Sequence, residues 1–393
     1  MPKIVLIKNA RVFAPEDLGV QDVLVAGEKI SQLGEGLELP SELGETIDAS
    51  GAWLIPGLVD SLVHIAGGGG EGGFASRTPE LDPVEAFSSG VTTVVGVLGT
   101  DATTRTLNDL YGKFRALCEQ GLSCYMHTGS YEFPVMTVTG SVRSDIVFMQ
   151  NVIGVGELAI SDHRSSQPRT EELVRVASDA RVAGLLSGKK GVLSIHVGDG
   201  KGRLDPLFDA LEHSDLPAEQ FYPTHINRNR ALLAQGIEFA KSGGYIDFTA
   251  STTDAILESG EVRASHALKL AIQAGVPVER IIMSSDGQGS LPDFCENGLL
   301  KSLDVASVAS LFGELRRAVQ EEGVSFVDAL RSVTSNPATV LGLGGKGGIA
   351  AGLDADLSIV DPSNFEIRSV MARGNWQYLE GKCRDALGRF AQE

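Results

Sequence analysis

The sequence is short of several things, and each shortage argues against a class of protein. Its four cysteines, Cys118, Cys124, Cys295 and Cys383, contain no Cys-x-x-Cys pair and no dense framework. That speaks against a disulfide scaffold and reads as reduced thiols in a cytoplasmic protein. No stretch approaches the roughly 18 apolar residues that span a bilayer. The segment Met1 to Arg11 lacks the apolar core of a secretion signal. Basic side chains are outnumbered, 33 Lys and Arg against 51 Asp and Glu, for a net charge of −18. Nucleic acid, which needs a cationic face, is therefore not the expected partner, and an anionic membrane is disfavoured.

What is present points to a large domain and a smaller one, since 393 residues exceed the usual size of one hydrophobic core. Glycine is abundant and clusters in runs, Gly67 to Gly70 and Gly344 to Gly348, which suits tight loops around a site. Residues 1–55 read as short strands, with Ile4–Ile7 and Val23–Val25 as β-rich runs and a turn at Gly27-Glu28-Lys29. Over 56–345 apolar β-branched runs alternate with amphipathic stretches. The runs are Leu54–Ile65, Val91–Leu98, Ser123–Gly129, Ile153–Ile160, Gly191–Val197, Phe221–Ile226, Tyr245–Ala250 and Arg280–Ser285. Eight such units predict an α/β fold, a (β/α)8 TIM barrel. From 346 to 393 the strand texture returns, at Ile349-Ala350, Ala355–Asp361, Ile367–Met371 and Trp376–Tyr378. The two ends are expected to join into one small β-sandwich domain.

Potential metal ligands fall at the ends of these strands. His64, His196 and His225 close predicted strands one, five and six, Glu157 lies near the end of the fourth, and Asp286 follows the eighth. In a barrel those carboxyl ends converge on the face where active sites are built. Five ligand-type side chains from five strands predict a metal site. Nitrogen and carboxylate donors without thiolates favour zinc and admit manganese or cobalt. Asp286 is placed to act as general base and acid. His127, His213 and His266 have structural readings, one in a strand and two in helices, and His163 supports its loop.

Leu54-Ile55-Pro56-Gly57-Leu58-Val59-Asp60, leading to a strand-one histidine, resembles the opening of the amidohydrolase superfamily. Gly348–Leu357 resembles that superfamily's return into its small β domain. Within the superfamily the chain resembles the isoaspartyl (β-aspartyl) dipeptidases over essentially its whole length. The stretches that carry this are Gly67–Glu71, Thr128–Tyr131, Ala159–Ser165, Pro223–Arg228 and Ser284–Ser290. The resemblance implies a zinc enzyme with one or two ions, His196 and His225 on the more buried one, and Glu157 where many relatives have a carboxylated lysine. It implies Asp286 as catalytic acid/base and Tyr131 as the group that stabilises the oxyanion. Glu71 and Ser290 would hold the substrate's ammonium, Gly69 and Thr100 its α-carboxylate, and Arg164 and Arg228 the carboxylate of the second residue. A dipeptide substrate and a homo-oligomer are implied in the same way. The chemistry is consistent, because a carboxylate suits a forked guanidinium and an ammonium suits a carboxylate.

One position departs from the pattern. The superfamily has His-x-His on strand one, and this chain has Leu62-Val63-His64. The more exposed metal position would keep His64, Glu157 and Asp286, and the buried one His196, His225 and Glu157. Three protein ligands plus water is the usual catalytic zinc arrangement, so one ion suffices. The competing expectations are another amidohydrolase, such as an N-acyl-D-amino-acid deacylase or a cyclic amidase, and a barrel that binds without turnover, as in a dihydropyrimidinase-like interaction protein.

Overall fold

A computed structural model describes residues 4–294 and 300–384. Cys295 and residues 385–393 of the expected C-terminal segment lie outside that range. Six strands, Leu58–Val63, Val91–Gly96, Ser123–Thr128, Val152–Ile160, Val192–Val197 and Phe221–Thr224, pair in parallel and in chain order. Two more, Ile246–Thr249 and Ile281–Ser284, form a second parallel pair. Backbone bonds connect the two groups at both edges: Ile226 N donates to Asp247 O at 3.0 Å, and His64 N to Gly287 O at 2.8 Å. Seven of the eight expected runs contain one of these strands, and the fourth, Ile153–Ile160, misses its strand's first residue, Val152.

Both faces of the strands are covered, which is why they read as continuous apolar runs. Val59, Val95, Ile153, Val192, Tyr222 and Ile282, one from each of six strands, form a cluster of their own with Leu341 and Leu343. Leu58, Val94, Leu158 and Ile195 join a larger core with the helices. Local chemistry starts and stops those helices. Helix Leu107–Glu119 opens on a capping box, Asp109 N donating to Thr106 Oγ1 at 3.2 Å and Thr106 N to Asp109 Oδ2 at 2.9 Å. It buries Leu107, Leu110, Phe114 and Leu117 at helical spacing. Helix Thr170–Ser187 ends at Gly188 in the left-handed conformation, φ 70°.

The chain ends build a separate nine-stranded sheet. Leu357–Asp361 pairs antiparallel with Trp53–Pro56, which pairs with Ile4–Phe13, so N- and C-terminal strands are adjacent. Val5, Ile7, Val25, Leu54, Leu357 and Trp376 are buried together in its core.

Two details differ from expectation. Ile349-Ala350 is not a strand: Leu353 N donates to Ala350 O, and Gly352, at φ 91°, takes the chain through a turn. An element not foreseen is an antiparallel pair, Ser290–Phe294 with Leu300–Val305, which follows the last parallel strand. Pro292 within it is an uncommon strand residue, tolerated at an edge.

Candidate active site

The carboxyl ends of the parallel strands surround a cavity of about 520 Å³. His64, Gly69, Glu71, Thr100, Tyr131, Arg164, His196, His225, Arg228, Asp286 and Ser290 all line it. Glu157, the remaining position picked from the sequence, lies fully buried beneath. Backbone conformation helps to aim these groups. His225 and Asp286 follow their strands with left-handed backbone, φ 63° and 55°, a conformation that non-glycine residues seldom adopt and that concentrates at functional sites. Asp60, from the Pro56–Asp60 stretch, accepts a hydrogen bond from Ser285 N at 3.0 Å and fixes the turn that carries Asp286.

The centre of the site is a carboxylate without ordinary partners. Both Glu157 oxygens are buried and take no hydrogen bond. Oε2 faces His196 Nδ1 at 3.6 Å and His225 Nε2 at 3.7 Å, while Oε1 faces His64 Nε2 at 3.4 Å. One ligand atom from each of Glu157, His196 and His225 lies within 4.8 Å of the others. Two metal bonds of about 2.1 Å at a tetrahedral angle would separate their donor atoms by about 3.4 Å, so the spacing suits a shared cation. Burial pushes His196 down to about 3 and His225 down to about 4. Both rings are therefore neutral at neutral pH and keep a lone pair to offer.

Hydrogen bonds select the nitrogen that carries it. His196 Nε2 lies 3.0 Å from Asp162 Oδ2, and we assign the proton there. That leaves Nδ1 facing Glu157, with the Tyr131 hydroxyl 2.6 Å away. His225 Nδ1 is 2.6 Å from Thr249 Oγ1, so Nε2 points to Glu157. His64 faces the other Glu157 oxygen, and its Nε2 lies 3.1 Å from Asp286 Oδ1. Burial would raise the Asp286 carboxyl, but the hydrogen bond from His64 and its charge outweigh it and hold the group ionised. Leu62 is fully buried at the position of the missing histidine.

The positions expected to meet a substrate form their own network. Thr100 Oγ1 donates to Glu71 Oε1 at 2.9 Å, and Arg164 Nη1 reaches the same oxygen at 3.2 Å. Arg164 also grips Asp162, from Nε to Oδ1 at 3.0 Å and from Nη2 to Oδ2 at 2.8 Å. Arg228 Nε donates to Val197 O at 3.1 Å. Gly69 has φ 68°, and a Cβ there would fall 2.5 Å from Ser76 O and 3.3 Å from Ser290 Cβ. Only glycine lets the loop approach so closely.

Among the cavity residues to which the sequence gives no site role, three charged ones stand out. Asp162 lies within Ala159–Ser165, but its residue type and spacing alone give it no role. Arg105, buried, donates to Ala66 O at 3.0 Å and Thr78 O at 3.0 Å, and so anchors the glycine loop. Nothing local marks it, since its partners are backbone carbonyls 39 and 27 residues away. Glu261 is the third.

Comparison with known proteins agrees with this geometry. The amidohydrolase family model matches residues 209–377. The crystal structure of a β-aspartyl dipeptidase from Fervidobacterium islandicum AW-1, in complex with β-Asp-Leu dipeptide, is 46% identical, covers 97% of this chain and 99% of its own, and superposes with a TM-score of 0.91. A second structure of β-aspartyl dipeptidase from that organism is 44% identical over the same shares, with a TM-score of 0.88. An imidazolonepropionase from Acidiphilium cryptum is 26% identical over 90% of this chain and 92% of its own. The fold and the cavity are those of an amidohydrolase. Within that superfamily the chain belongs to the β-aspartyl (isoaspartyl) dipeptidases, and it is a hydrolytic peptidase that acts on dipeptides.

Proposed function

We propose that the enzyme cleaves β-aspartyl dipeptides with the help of one zinc ion held by Glu157, His196 and His225. The observation that carries this reading is the buried, unpartnered Glu157 carboxylate between two neutral imidazoles, at the floor of a cavity lined by Glu71, Arg164 and Arg228. An uncompensated buried carboxylate is costly, and a cation relieves that cost. When bound, such an ion polarises the scissile carbonyl and lowers the pKa of water to about 7. Leu62 cannot replace a ligand at the more exposed position, which supports one ion rather than two. The eight parallel strands are taken as a (β/α)8 barrel spanning 56–345, with 1–55 and 346–393 forming the small β domain. A cytoplasmic homo-oligomer is the expected form.

Asp286, ionised at neutral pH, accepts the proton of the attacking water and returns it to the leaving amine. The Tyr131 hydroxyl, whose pKa burial raises, stays protonated and donates to the developing oxyanion. Glu71 and Ser290 take the substrate's ammonium, Gly69 and Thr100 its α-carboxylate, and Arg164 with Arg228 the second residue's carboxylate. The Glu71–Arg164 contact of 3.2 Å brings the ammonium-binding and carboxylate-binding side chains together. A zwitterionic dipeptide would satisfy both at once, ammonium on one side and carboxylate on the other.

The test is turnover of β-aspartyl-leucine beside α-aspartyl-leucine. The expected result is hydrolysis of the β isomer at least a hundredfold faster. Equal rates on the two isomers would overturn the reading.

A further inference from the structure

One carboxyl in the cavity has no part in the chemistry proposed above. Glu261 lines the cavity near Arg228, Ile256 and Ser259. Its Oε1 is buried and without a hydrogen-bond partner. The short helix Asp254–Glu258 and the turn after it present the residue, with Glu261 N 3.4 Å from Ile256 O. Burial pushes its carboxyl up to about 7, against a hydrogen bond from Thr252 and the positive charge of Arg228. A buried polar atom without a partner costs free energy unless a bound molecule completes it.

The position of Glu261 suggests which part of a substrate it meets. Thr100 donates to Glu71, and Gly69 lies against Ser290. Arg228 lines the same cavity, its guanidinium tied to Val197 O at 3.1 Å and its positive charge acting on Glu261. A dipeptide whose terminal carboxylate sat on Arg228 would bring the side chain of its second residue toward Glu261 and Ile256, which line the same cavity. An aliphatic side chain would leave the Glu261 oxygen unsatisfied. A long basic side chain would lay its methylenes on Ile256 and bring a donor to the carboxylate, as amphipathic side chains do elsewhere.

We propose that Glu261 is a specificity-determining residue for the second residue of the dipeptide, selecting a basic side chain over an aliphatic one of the same length. This rests on the dipeptidase reading above, and the experiment separates the two. Wild-type enzyme is assayed on β-aspartyl-lysine and on β-aspartyl-norleucine, which lacks only the ammonium, with β-aspartyl-leucine as reference. The expected ratio of kcat/KM, lysine over norleucine, is at least tenfold. In Glu261→Gln and Glu261→Ala it falls below threefold, because lysine loses more than norleucine. A wild-type ratio near one overturns the proposal even if both variants fail to fold. A ratio unchanged in soluble variants also overturns it. Equal losses on both substrates would mean that Glu261 only positions Arg228, and the proposal fails. If no β-dipeptide is cleaved, leucine included, the dipeptidase reading falls first.

Discussion

His196 Nε2 lies 3.0 Å from Asp162 Oδ2, and the same carboxylate holds the Arg164 guanidinium through two nitrogens. A proposed metal ligand and a proposed substrate-binding arginine thus share one anchor. Burial would raise the Asp162 carboxyl, but its bonds from His196 and Arg164 outweigh that and hold it well below the usual carboxylate range. Partners of this kind fix the tautomer of a metal-binding histidine, and losing one typically costs about 10–100-fold in metal affinity or activity. Asp162→Asn should weaken zinc binding by about that factor, measured by competition with a chelating dye. It should also raise KM for β-aspartyl-leucine, because Arg164 loses a charged partner. A variant with wild-type zinc affinity and wild-type KM would show that this shared anchor has no functional weight.

Replacing Glu71 tests recognition rather than chemistry. Its carboxylate contacts Thr100 and Arg164 and is assigned to the ammonium of the substrate. Glu71→Gln should raise KM for β-aspartyl-leucine at least tenfold and leave metal content at the wild-type level. N-acetyl-β-aspartyl-leucine, which has no ammonium, should respond by less than threefold. Equal effects on the two substrates would favour an N-acyl amidohydrolase over the dipeptidase.

Leu62 offers a test of the number of ions. Leu62→His restores the donor that the superfamily pattern carries, beside His64 and its contacts to Asp286 and Glu157. Metal analysis of protein purified without chelator should move from about one ion per chain toward about two, a stoichiometry that follows from one additional N/O ligand set. A value fixed at one would show that Leu62 does not decide the count.

The strand ends were the most legible part of the site. Histidines at the carboxyl ends of apolar runs, and a glycine loop before Glu71, can be seen in one dimension because strand period and loop composition are local properties. The same logic located the parallel strands and placed a terminal sheet at both chain ends. Arg105 was not legible, since what distinguishes it is contact with distant segments, and Glu261 was not, since its sequence is that of an ordinary polar turn until the fold buries its carboxyl in the cavity wall. The 290–305 pair was hidden for a different reason, as Pro292 inside a strand reads as a break. Ile349-Ala350 erred the other way: an apolar pair suggested a strand, but the neighbouring glycines turn the chain.

His127 links the fold to pH. Neither ring nitrogen has a partner, and burial pushes its pKa down to about 4, below the ordinary histidine value of 6.5. Between those values the unfolded chain binds the proton and the folded one does not, so stability is lost as pH falls from 6.5 toward 4. The loss from this one group is on the order of 3 kcal/mol. Urea unfolding in chelator at pH 7 and pH 4.5 should show a smaller pH-dependent loss for His127→Leu than for wild type. Identical losses would mean that His127 carries none of the acid sensitivity.

The most direct check is zinc content and β-aspartyl-leucine turnover measured on one preparation, before chelation, after it, and after zinc is returned. The account predicts about one ion per chain, as expected for three protein ligands, loss of turnover with the ion, and recovery with its return. It predicts that Glu157→Gln neither retains zinc nor recovers. Full turnover by the chelated enzyme, or wild-type zinc content in Glu157→Gln, would contradict it.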